Sequence, residues 1–315
     1  MPRFLSFHKE GCLSVLQFVS DKPDSFEYIF GPDAIARNLI EISEINQSGI
    51  VNNICYVNHS EYFIFFTDGD VIIGAKQNRV FNTSVLLAPK SKTNIPVSCV
   101  EQGRWHYSAS KFTASDFSIP SGMRAEKVKD VSDNLKSSKK YYANQGKVWS
   151  EVAKYSERFN VHSNTFDYGE IFNQRRYDLD KFLAGFQCSR GANGMAVFIN
   201  NKFLSIDIFN RTDIFAKYFP KLLKGVALDA FHLPESRYQF SQQTAEDEVL
   251  SFFRKYNDLK FETFPGVGVG EEKRFETPES VGSELTYDGN MIHLSALNSP
   301  DKNNSSGINT RFRRF

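Results

Sequence analysis

The sequence predicts an α+β protein, with an antiparallel β-rich N-terminal half and helices packed around a second small sheet. Five short runs rich in β-branched and aromatic residues occur between Ile50 and Trp105. Parallel strands need longer crossovers than the turns between these runs, so the strands should be antiparallel. Apolar residues then recur at helical spacing in residues 124–160 and again in 213–230, which adds the α component.

The first 45 residues contain one predicted strand, 13–18, and one predicted helix. Gly31-Pro32-Asp33 is typical of a helix start, since Asp33 can cap the free N–H groups. Ile35, Leu39 and Ile42 follow it at helical spacing. The five strands predicted next are 52–57, 62–66, 70–74, 79–88 and 94–101.

Helices and a hairpin are predicted for the rest of the chain. In the helical region 124–160, a buried stripe is formed by Val148, Val152, Tyr155 and Phe159. Further helices are predicted at 177–186, 213–230 and 245–256. Asn200-Asn201 is a hairpin signal between strands 195–199 and 203–209, and short strands are predicted at 273–276, 283–287 and 291–295.

The domain organisation follows from the absence of a Pro/Gly/Ser-rich linker in residues 100–235. We therefore predict one α+β domain over 1–235, and a C-terminal α+β extension over 236–297 that is integrated with it. Residues 298–315 are polar and end in Arg-Phe-Arg-Arg-Phe, a composition that predicts a disordered tail with a basic end.

Charge and composition exclude several classes of protein. The 38 Lys and Arg residues balance 37 Asp and Glu residues, a formal net charge of +1, which argues against bulk nucleic-acid binding. The N-terminus lacks the apolar core of a signal peptide, and no apolar stretch approaches the roughly 20 residues that span a bilayer. We expect a cytoplasmic protein that does not bind membranes.

Cysteine and histidine spacing gives no metal signature. The four cysteines contain no CxxC pair, and the six histidines show no HxH or HExxH spacing. We therefore assign no metal ligands, although residues distant in the sequence remain an alternative, and the sequence does not identify a cofactor.

Two polar segments interrupt the apolar strands. Arg79 is placed by strand parity on a face with apolar residues, and an unpaired buried charge is costly. Glu101 shares a face with apolar residues of the next strand, so we predict that Arg79 and Glu101 pair. Glu101 and Arg104 should bracket one pocket. The alternative is a structural ion pair that fixes the strand register and orders the turn at Gly103.

The same segments carry a family resemblance. GAKQNRVFNTS and IPVSCVEQGRW, followed by NQGKVWSEV, GMAVFINNKFLSIDIFN and KLLKGVALDA, resemble the ADP-ribosylglycohydrolase- and rhodanese-phosphatase-associated protein domain family. The resemblance covers about residues 10–235, and the EQGRW block is its most specific part. It implies a role in processing or sensing NAD-derived nucleotides.

The resemblance implies a set of functional positions, to which we add His106 because it follows Trp105 directly. The implied positions are Lys76, Gln77, Asn78, Arg79, Asn82, Glu101, Gln102, Arg104 and Trp105, with Gln145, Trp149 and Asp207 as secondary candidates. Arg and Lys can hold a diphosphate, Trp can stack on a base, and Gln and Asn can bind ribose hydroxyls.

Glu101 is the best general acid or base, with His106 as the second catalytic candidate. An apolar strand face would favour the protonated acid, whereas an Arg79 salt bridge would keep the Glu101 carboxylate ionised. For Trp149, packing in the core is the alternative to a functional role.

Three functions are compatible with these residues. The first is hydrolysis of an NAD-derived or ADP-ribose-type nucleotide, with a small-molecule nucleotide as the partner. The second is a non-catalytic nucleotide-binding or sensor module that uses the same residues. The third is a structural or interaction protein, in which the motif only stabilises the fold.

Overall fold

The computed structural model describes residues 1–20, 26–45, 52–107, 109 and 111–300. It contains 31% helix and 36% strand, which confirms the predicted α+β class. Strands and helices are numbered below in chain order. No helix in these described ranges combines the length and the apolar character needed to cross a membrane.

The largest sheet has eight strands, and each neighbouring pair is antiparallel. In spatial order they are β1 (Arg3–Glu10), β2 (Leu13–Val19), β12 (Gly194–Ile199), β13 (Lys202–Phe209), β17 (Asn290–Asn298), β16 (Ser280–Tyr287), β15 (Glu271–Glu276) and β14 (Glu262–Pro265). Asn200 and Asn201 both adopt positive φ, as a two-residue hairpin turn favours. The predicted β12–β13 hairpin therefore forms, but the sheet around it is larger than expected.

The N-terminal half forms two further sheets. The six-stranded antiparallel sheet has the order β11 (Phe112–Ser118), β7 (Asp70–Gly74), β8 (Arg79–Phe81), β10 (Lys92–Cys99), β5 (Asn53–Asn58) and β4 (Ile40–Glu44). The three-stranded sheet has the order β3 (Tyr28–Phe30), β6 (Phe63–Phe66) and β9 (Val85–Leu87), in which β3 runs parallel to β6. The antiparallel prediction is thus confirmed for all pairs of these two sheets except one.

The predicted single strand 79–88 is wrong, because the chain changes sheets in its middle. β8 pairs in the six-stranded sheet and β9 in the three-stranded sheet. Between them, the Thr83 hydroxyl donates to Glu272 over 2.5 Å, and the Ser84 hydroxyl accepts from the Asp68 N–H. The buried side chains of Thr83 and Ser84 are hydrogen-bonded to residues outside β8 and β9. The alternation of side chains between the two faces of the strand therefore ends at residue 81.

The six helices of the described chain occupy most of the predicted helical segments. They are α1 (Gly31–Ala36), α2 (Ser121–Ser138), α3 (Gln145–Arg158), α4 (Gly169–Leu183), α5 (Thr212–Ala230) and α6 (Gln242–Tyr256). The region 124–160 divides into α2 and α3, since Lys139 ends α2 with a left-handed φ of 57°. The stripe of Val148, Val152, Tyr155 and Phe159 is buried, as predicted.

The first predicted helix is shorter than its apolar spacing indicated. α1 ends at Ala36, and Ile42 lies in β4, which pairs with β5. Asp33 lies inside the first turn and makes no capping hydrogen bond; its carboxylate pairs with Lys217 at 2.5 Å. Ile42 is buried in β4, which pairs with β5. A buried strand position favours an apolar residue just as a buried helix position does, so the apolar side chain alone did not distinguish the two.

The C-terminal strands β15, β16 and β17 form close to the predicted positions. β17 continues to Asn298, and the Ser299 N–H donates to the Glu279 carbonyl, so the predicted tail does not begin at residue 298. The rest of the predicted tail, 301–315, lies outside the described residues.

Aromatic side chains connect the helices to the sheets. Tyr218 of α5 stacks on Phe209 of β13, with ring centroids 5.3 Å apart, and meets Phe65 of β6 edge-on at 5.8 Å. All three side chains are fully buried. Such contacts add to the burial of apolar area and hold α5 between two sheets.

Candidate functional site

The turn between β7 and β8 brings the first polar segment to the edge of its sheet. Gly74 has a φ of 131°, and a Cβ there would lie 2.5 Å from the Lys111 carbonyl oxygen. Ala75 follows with a φ of 42°. This tight turn places Asn78 so that its side-chain oxygen accepts from the Gly74 N–H and its backbone N–H points at Glu101.

Glu101 lies at the centre of the site with its carboxylate fully hydrogen-bonded. Oε1 accepts from Arg104 Nε at 2.7 Å and from the Thr165 hydroxyl at 2.9 Å. Oε2 accepts from Arg104 Nη2 at 2.6 Å and from the Asn78 N–H at 3.2 Å. This bidentate pair is buried on both sides, so Glu101 is held in one orientation as a charged group.

Arg104 has no donor left for a ligand. Besides Glu101, its guanidinium donates to the carbonyl oxygens of Ala75, His106 and Gly74, and to the Asn78 side chain. A guanidinium has five N–H donors, and these contacts use all three of its nitrogens. Arg104 could therefore hold a diphosphate only by giving up hydrogen bonds to Glu101 or to the surrounding carbonyl groups.

A third segment, which the sequence analysis did not select, completes the site. Residues 162–168 lie in the connection from α3 to α4, and residues 169 and 170 begin α4; the Thr165 carbonyl accepts from the Gly103 N–H at 2.8 Å. Glu101 and Asp167 form an isolated antiparallel bridge. The Ser163 hydroxyl accepts from the Asp167 N–H at 2.9 Å, which folds this segment into a turn against the EQGRW block.

Asp167 differs from Glu101 in its surroundings. Its Oδ1 accepts from Asn78 Nδ2 at 2.9 Å and from the Gly169 N–H at 3.0 Å. In the described part of the chain, no Lys or Arg lies within ion-pair distance of it. Burial raises the pKa of the Asp167 carboxyl, and the nearby Glu101 charge adds to this shift, while the two hydrogen bonds oppose it.

These three segments enclose a polar cleft of about 480 Å³, within the usual size range of small-molecule sites. Asn78, Glu101 and Arg104 line it, and they are the predicted residues that the structure brings together here. The other polar lining residues are His162, Ser163, Asn164, Thr165, Asp167 and Glu170. Glu101 and Arg104 thus do bracket one pocket.

The predicted Arg79–Glu101 pair does not form. Arg79 lies opposite Cys99 in the sheet, is fully buried, and has its Nη2 3.7 Å from Oε1 of Glu44. Its Nη1 donates to the Gln77 side chain at 2.6 Å. β10 ends at Cys99, so Glu101 has already left the sheet and meets Arg104 instead.

The remaining motif residues surround the cleft without lining it. Gln77 donates to the Glu101 carbonyl, and Lys76 lies with its Nζ 5.3 Å from the centre of the Trp105 ring. Trp105 is 43% exposed, so one face can still stack on a ligand. Gln102 and His106 are exposed; the histidine that lines the cleft is His162, which makes His106 the weaker catalytic candidate.

Asn82 and Gln145 have structural partners. Asn82 donates to the Tyr141 carbonyl and accepts from Ser98, and Gln145 bonds both backbone groups of Cys99. The Gln145 contacts at 2.8 Å connect the start of α3 to the end of β10. These hydrogen bonds connect elements of the fold around the site, and neither Asn82 nor Gln145 lines the cleft.

Asp207, a secondary candidate for ligand binding, lies in a separate buried cluster and does not line this cleft. Arg124 of α2 donates to Asp207 at 2.6 Å and to Asp68 at 3.0 Å, and His293 lies 3.4 Å from Asp207. Ligand atoms of Asp68, Asp207 and His293 are within 4.8 Å of one another, close enough to hold a metal ion. The single guanidinium of Arg124 pairs with both carboxylates, so a metal ion would have to compete with it for Asp68 and Asp207.

A larger groove of about 740 Å³ lies along α6, lined by apolar side chains such as Phe203, Phe252 and Tyr256. It contains none of the predicted site residues. We assign the functional site to the smaller cleft because polar groups of three segments converge there, whereas size alone does not identify a site.

The Glu101–Arg104 pair makes a testable contribution to stability. Arg104→Met should lower the free energy of unfolding by about 3–5 kcal/mol, because it leaves the Glu101 carboxylate buried without a counter-charge. Urea denaturation of the wild type and the variant measures this difference. Addition of Glu101→Gln should recover part of the loss. A decrease below about 1 kcal/mol for Arg104→Met would show that water or another donor replaces the guanidinium.

The comparisons with known proteins give one match. The family model described as ARG and Rhodanese-Phosphatase-superfamily-associated Protein domain matches residues 3–297, which includes all three segments of the cleft. No curated protein and no solved structure matches the chain significantly.

Proposed function

The chain belongs to this family, and we propose that it hydrolyses an NAD-derived or ADP-ribose-type nucleotide in the Glu101–Asp167 cleft. The observation that supports this proposal best is the pair of carboxylates in one cleft with different surroundings. Glu101 is neutralised by Arg104, whereas Asp167 keeps a raised pKa and has a free oxygen, Oδ2, outside its two hydrogen bonds. Two carboxylates in unlike environments are a frequent basis for a division of roles in hydrolysis.

The roles follow from these contacts. Asp167 accepts the proton of the attacking water, since its carboxylate is not held by a cation. The Glu101–Arg104 pair positions Thr165 and Asn78, both of which contact Glu101 directly. Ser163 and Asn164 supply further polar groups at the cleft wall for ribose hydroxyls. Trp105 offers an exposed aromatic face outside it for a base.

A non-catalytic binding module is the second candidate, and the full hydrogen bonding of Glu101 favours it. A carboxylate that accepts from four donors is suited to holding neighbouring groups in place. Such a module would be stabilised by its ligand without turnover, by about 2.7 kcal/mol at 100 times Kd.

Turnover on a defined panel tests the proposal. The protein is incubated with NAD⁺, ADP-ribose and an ADP-ribosylated peptide, and the products are separated by liquid chromatography and mass spectrometry. We expect product from at least one of them. Thermal stabilisation without any product would support the binding module, and neither product nor stabilisation would contradict both functions.

The pH dependence of turnover should show whether Asp167 is the general base. A general base acts in its ionised form, so kcat/KM should rise with pH through the pKa of Asp167 and form an acid limb. Because that pKa is raised, the midpoint should lie above the ordinary aspartate value of 3.8. A pH–rate profile of kcat/KM measures it. A profile that is flat from pH 4 upward would show that another group limits the reaction.

A further inference from the structure

The groove along α6 presents a continuous apolar surface. Phe252 stacks on Phe203, with ring centroids 6.4 Å apart, and contacts Tyr256 at 5.8 Å. Leu259 extends this surface by one further turn of the chain. All four side chains are partly exposed. A connected apolar wall beside a volume of about 740 Å³ is typical of a site that receives another apolar segment.

The last strand of the fold brings the chain to the same groove. β17 ends at Asn298, which lines the groove. The next residue, Ser299, donates its N–H to the carbonyl of Glu279, a second lining residue. Fifteen further residues, 301–315, follow the described part of the chain. They are connected to the fold at the wall of the groove, so they can reach it within one molecule.

The connection is long enough to reach every part of the groove. The lining residues of α6 and the turn after it run from Glu248 to Leu259, a rise of about 16 Å at roughly 1.5 Å per residue. Residues 301–307 can span roughly 23–25 Å when extended. Ile308, the first apolar residue after them, can therefore be placed at either end of the groove.

The segment 308–315 has the composition of a groove ligand. Its three apolar residues, Ile308, Phe312 and Phe315, are spaced i, i+4 and i+7, which would place them along one face of a helix. The other positions are polar or basic, so the segment has no partner of its own for these side chains. Eight residues of helix measure about 12 Å, which is shorter than the groove.

The charges around the groove favour a basic segment. The first half of α6 contains the acidic run 246–248, and Glu248 lines the groove as an exposed side chain. The lining also contains Lys202 and Lys255, and Lys255 pairs with Glu279 at 2.9 Å. Within the lining and this run, four carboxylates therefore face two ammonium groups. The segment 308–315 carries three arginines and no acidic side chain, which complements this excess.

We propose that residues 308–315 occupy the groove along α6, with their three apolar side chains on its aromatic wall and Arg311 toward Glu248. The occupant is thus a segment of the same molecule, and while it is bound the groove is closed to apolar segments of other proteins. The short connection keeps the effective concentration of the segment high, which offsets the entropy lost on ordering it. This inference is independent of the proposed hydrolase function, because the groove and the Glu101–Asp167 cleft share no lining residue.

Hydrogen–deuterium exchange of the full chain, followed by mass spectrometry, tests the docking. We expect the amides of 308–315 to exchange at least about tenfold more slowly than those of a free peptide of the same sequence. Phe312→Ser should bring them to within about twofold of that peptide, because burial of the phenylalanine supplies much of the contact. Glu248→Lys should reduce the protection about two- to fivefold. The matched charge reversal Asp180→Lys, at an exposed position of α4, should leave it unchanged, and exchange in α5 should be the same in all variants.

A photo-cross-linking side chain locates the segment. The full chain with p-benzoylphenylalanine in place of Phe315 should cross-link within one molecule to α6 or to residues 277–280. Exchange of 308–315 at the rate of the free peptide overturns the inference, and so does a cross-link outside the groove. A cross-linked dimer, together with protection that rises with protein concentration, would assign the groove to a second copy and would also overturn it.

Discussion

Asp167→Asn should lower turnover of the nucleotide by about 10²- to 10⁴-fold, the usual contribution of a general base. The amide cannot accept a proton from water at this position, whereas the carboxylate can. The fold should remain intact, because an asparagine oxygen still accepts from Asn78 and from the Gly169 N–H at the start of α4. Steady-state kinetics with the best substrate of the panel measures the effect.

A matched control is Asp116→Asn. Asp116 is an exposed aspartate on β11, paired with Lys224, and it does not line the cleft. Its substitution should leave kcat and kcat/KM within about twofold, since exposed pairs contribute little. Retention of more than a tenth of the wild-type kcat by Asp167→Asn would exclude Asp167 as the base. An equal loss in both variants would indicate a general effect on folding.

Arg124→Met should produce the largest loss of stability, at least about 3–5 kcal/mol of unfolding free energy. It removes the only Lys or Arg paired with Asp68 or Asp207 in the described chain and leaves two buried carboxylates beside each other. Burial alone would raise the pKa of Asp207, but the Arg124 charge outweighs it and holds that pKa well below its usual range. Denaturation in urea at neutral pH measures the difference.

The acid stability of the wild type gives a second readout. Because the pKa of Asp68 and Asp207 is lowered on folding, their contribution is present above the unfolded-state value near 3.9 and is lost as the pH falls below it. Arg124→Met should remove this acid-dependent part. The control Arg211→Met breaks a partly exposed pair with Asp213 and should cost less than about 1 kcal/mol. Similar losses of unfolding free energy in the two variants would contradict the prediction that the buried Arg124 pairs stabilise the fold more than a partly exposed pair does.

The elements predicted from local patterns agree best with the structure. The β12–β13 hairpin is indicated by its two-residue turn and the α3 stripe by its helical spacing, and both signals lie within the element itself. Glu101 and Arg104 could be placed in one pocket because they are only three positions apart in the sequence. The helix start at Gly31 is correct, but Ile42 was assigned to the helix because a short apolar spacing alone does not distinguish a helix from a strand.

The partners that lie far apart in the sequence could not be predicted. Arg79 pairs with Glu44, which lies 35 positions earlier in the sequence, and Asp207 pairs with Arg124 and lies beside His293. Asp167 lies beside Glu101 because the chain forms a bridge between residues 101 and 167 and because Asn78 bonds both carboxylates, and neither contact is visible in the sequence. One signal did exist: Asp167-Tyr168-Gly169-Glu170 is an acidic helix start, and reading it would have placed the beginning of α4 and drawn attention to Asp167.

The most direct test of the assigned site is a crystal structure of the protein soaked with ADP-ribose. The account predicts electron density for the ribose inside the cleft, with a hydroxyl within hydrogen-bond distance of the Asp167 carboxylate and the phosphates outside the Glu101–Arg104 pair. Density confined to the groove at Phe252 and Tyr256, with the cleft at Asp167 empty at a saturating concentration, would contradict it.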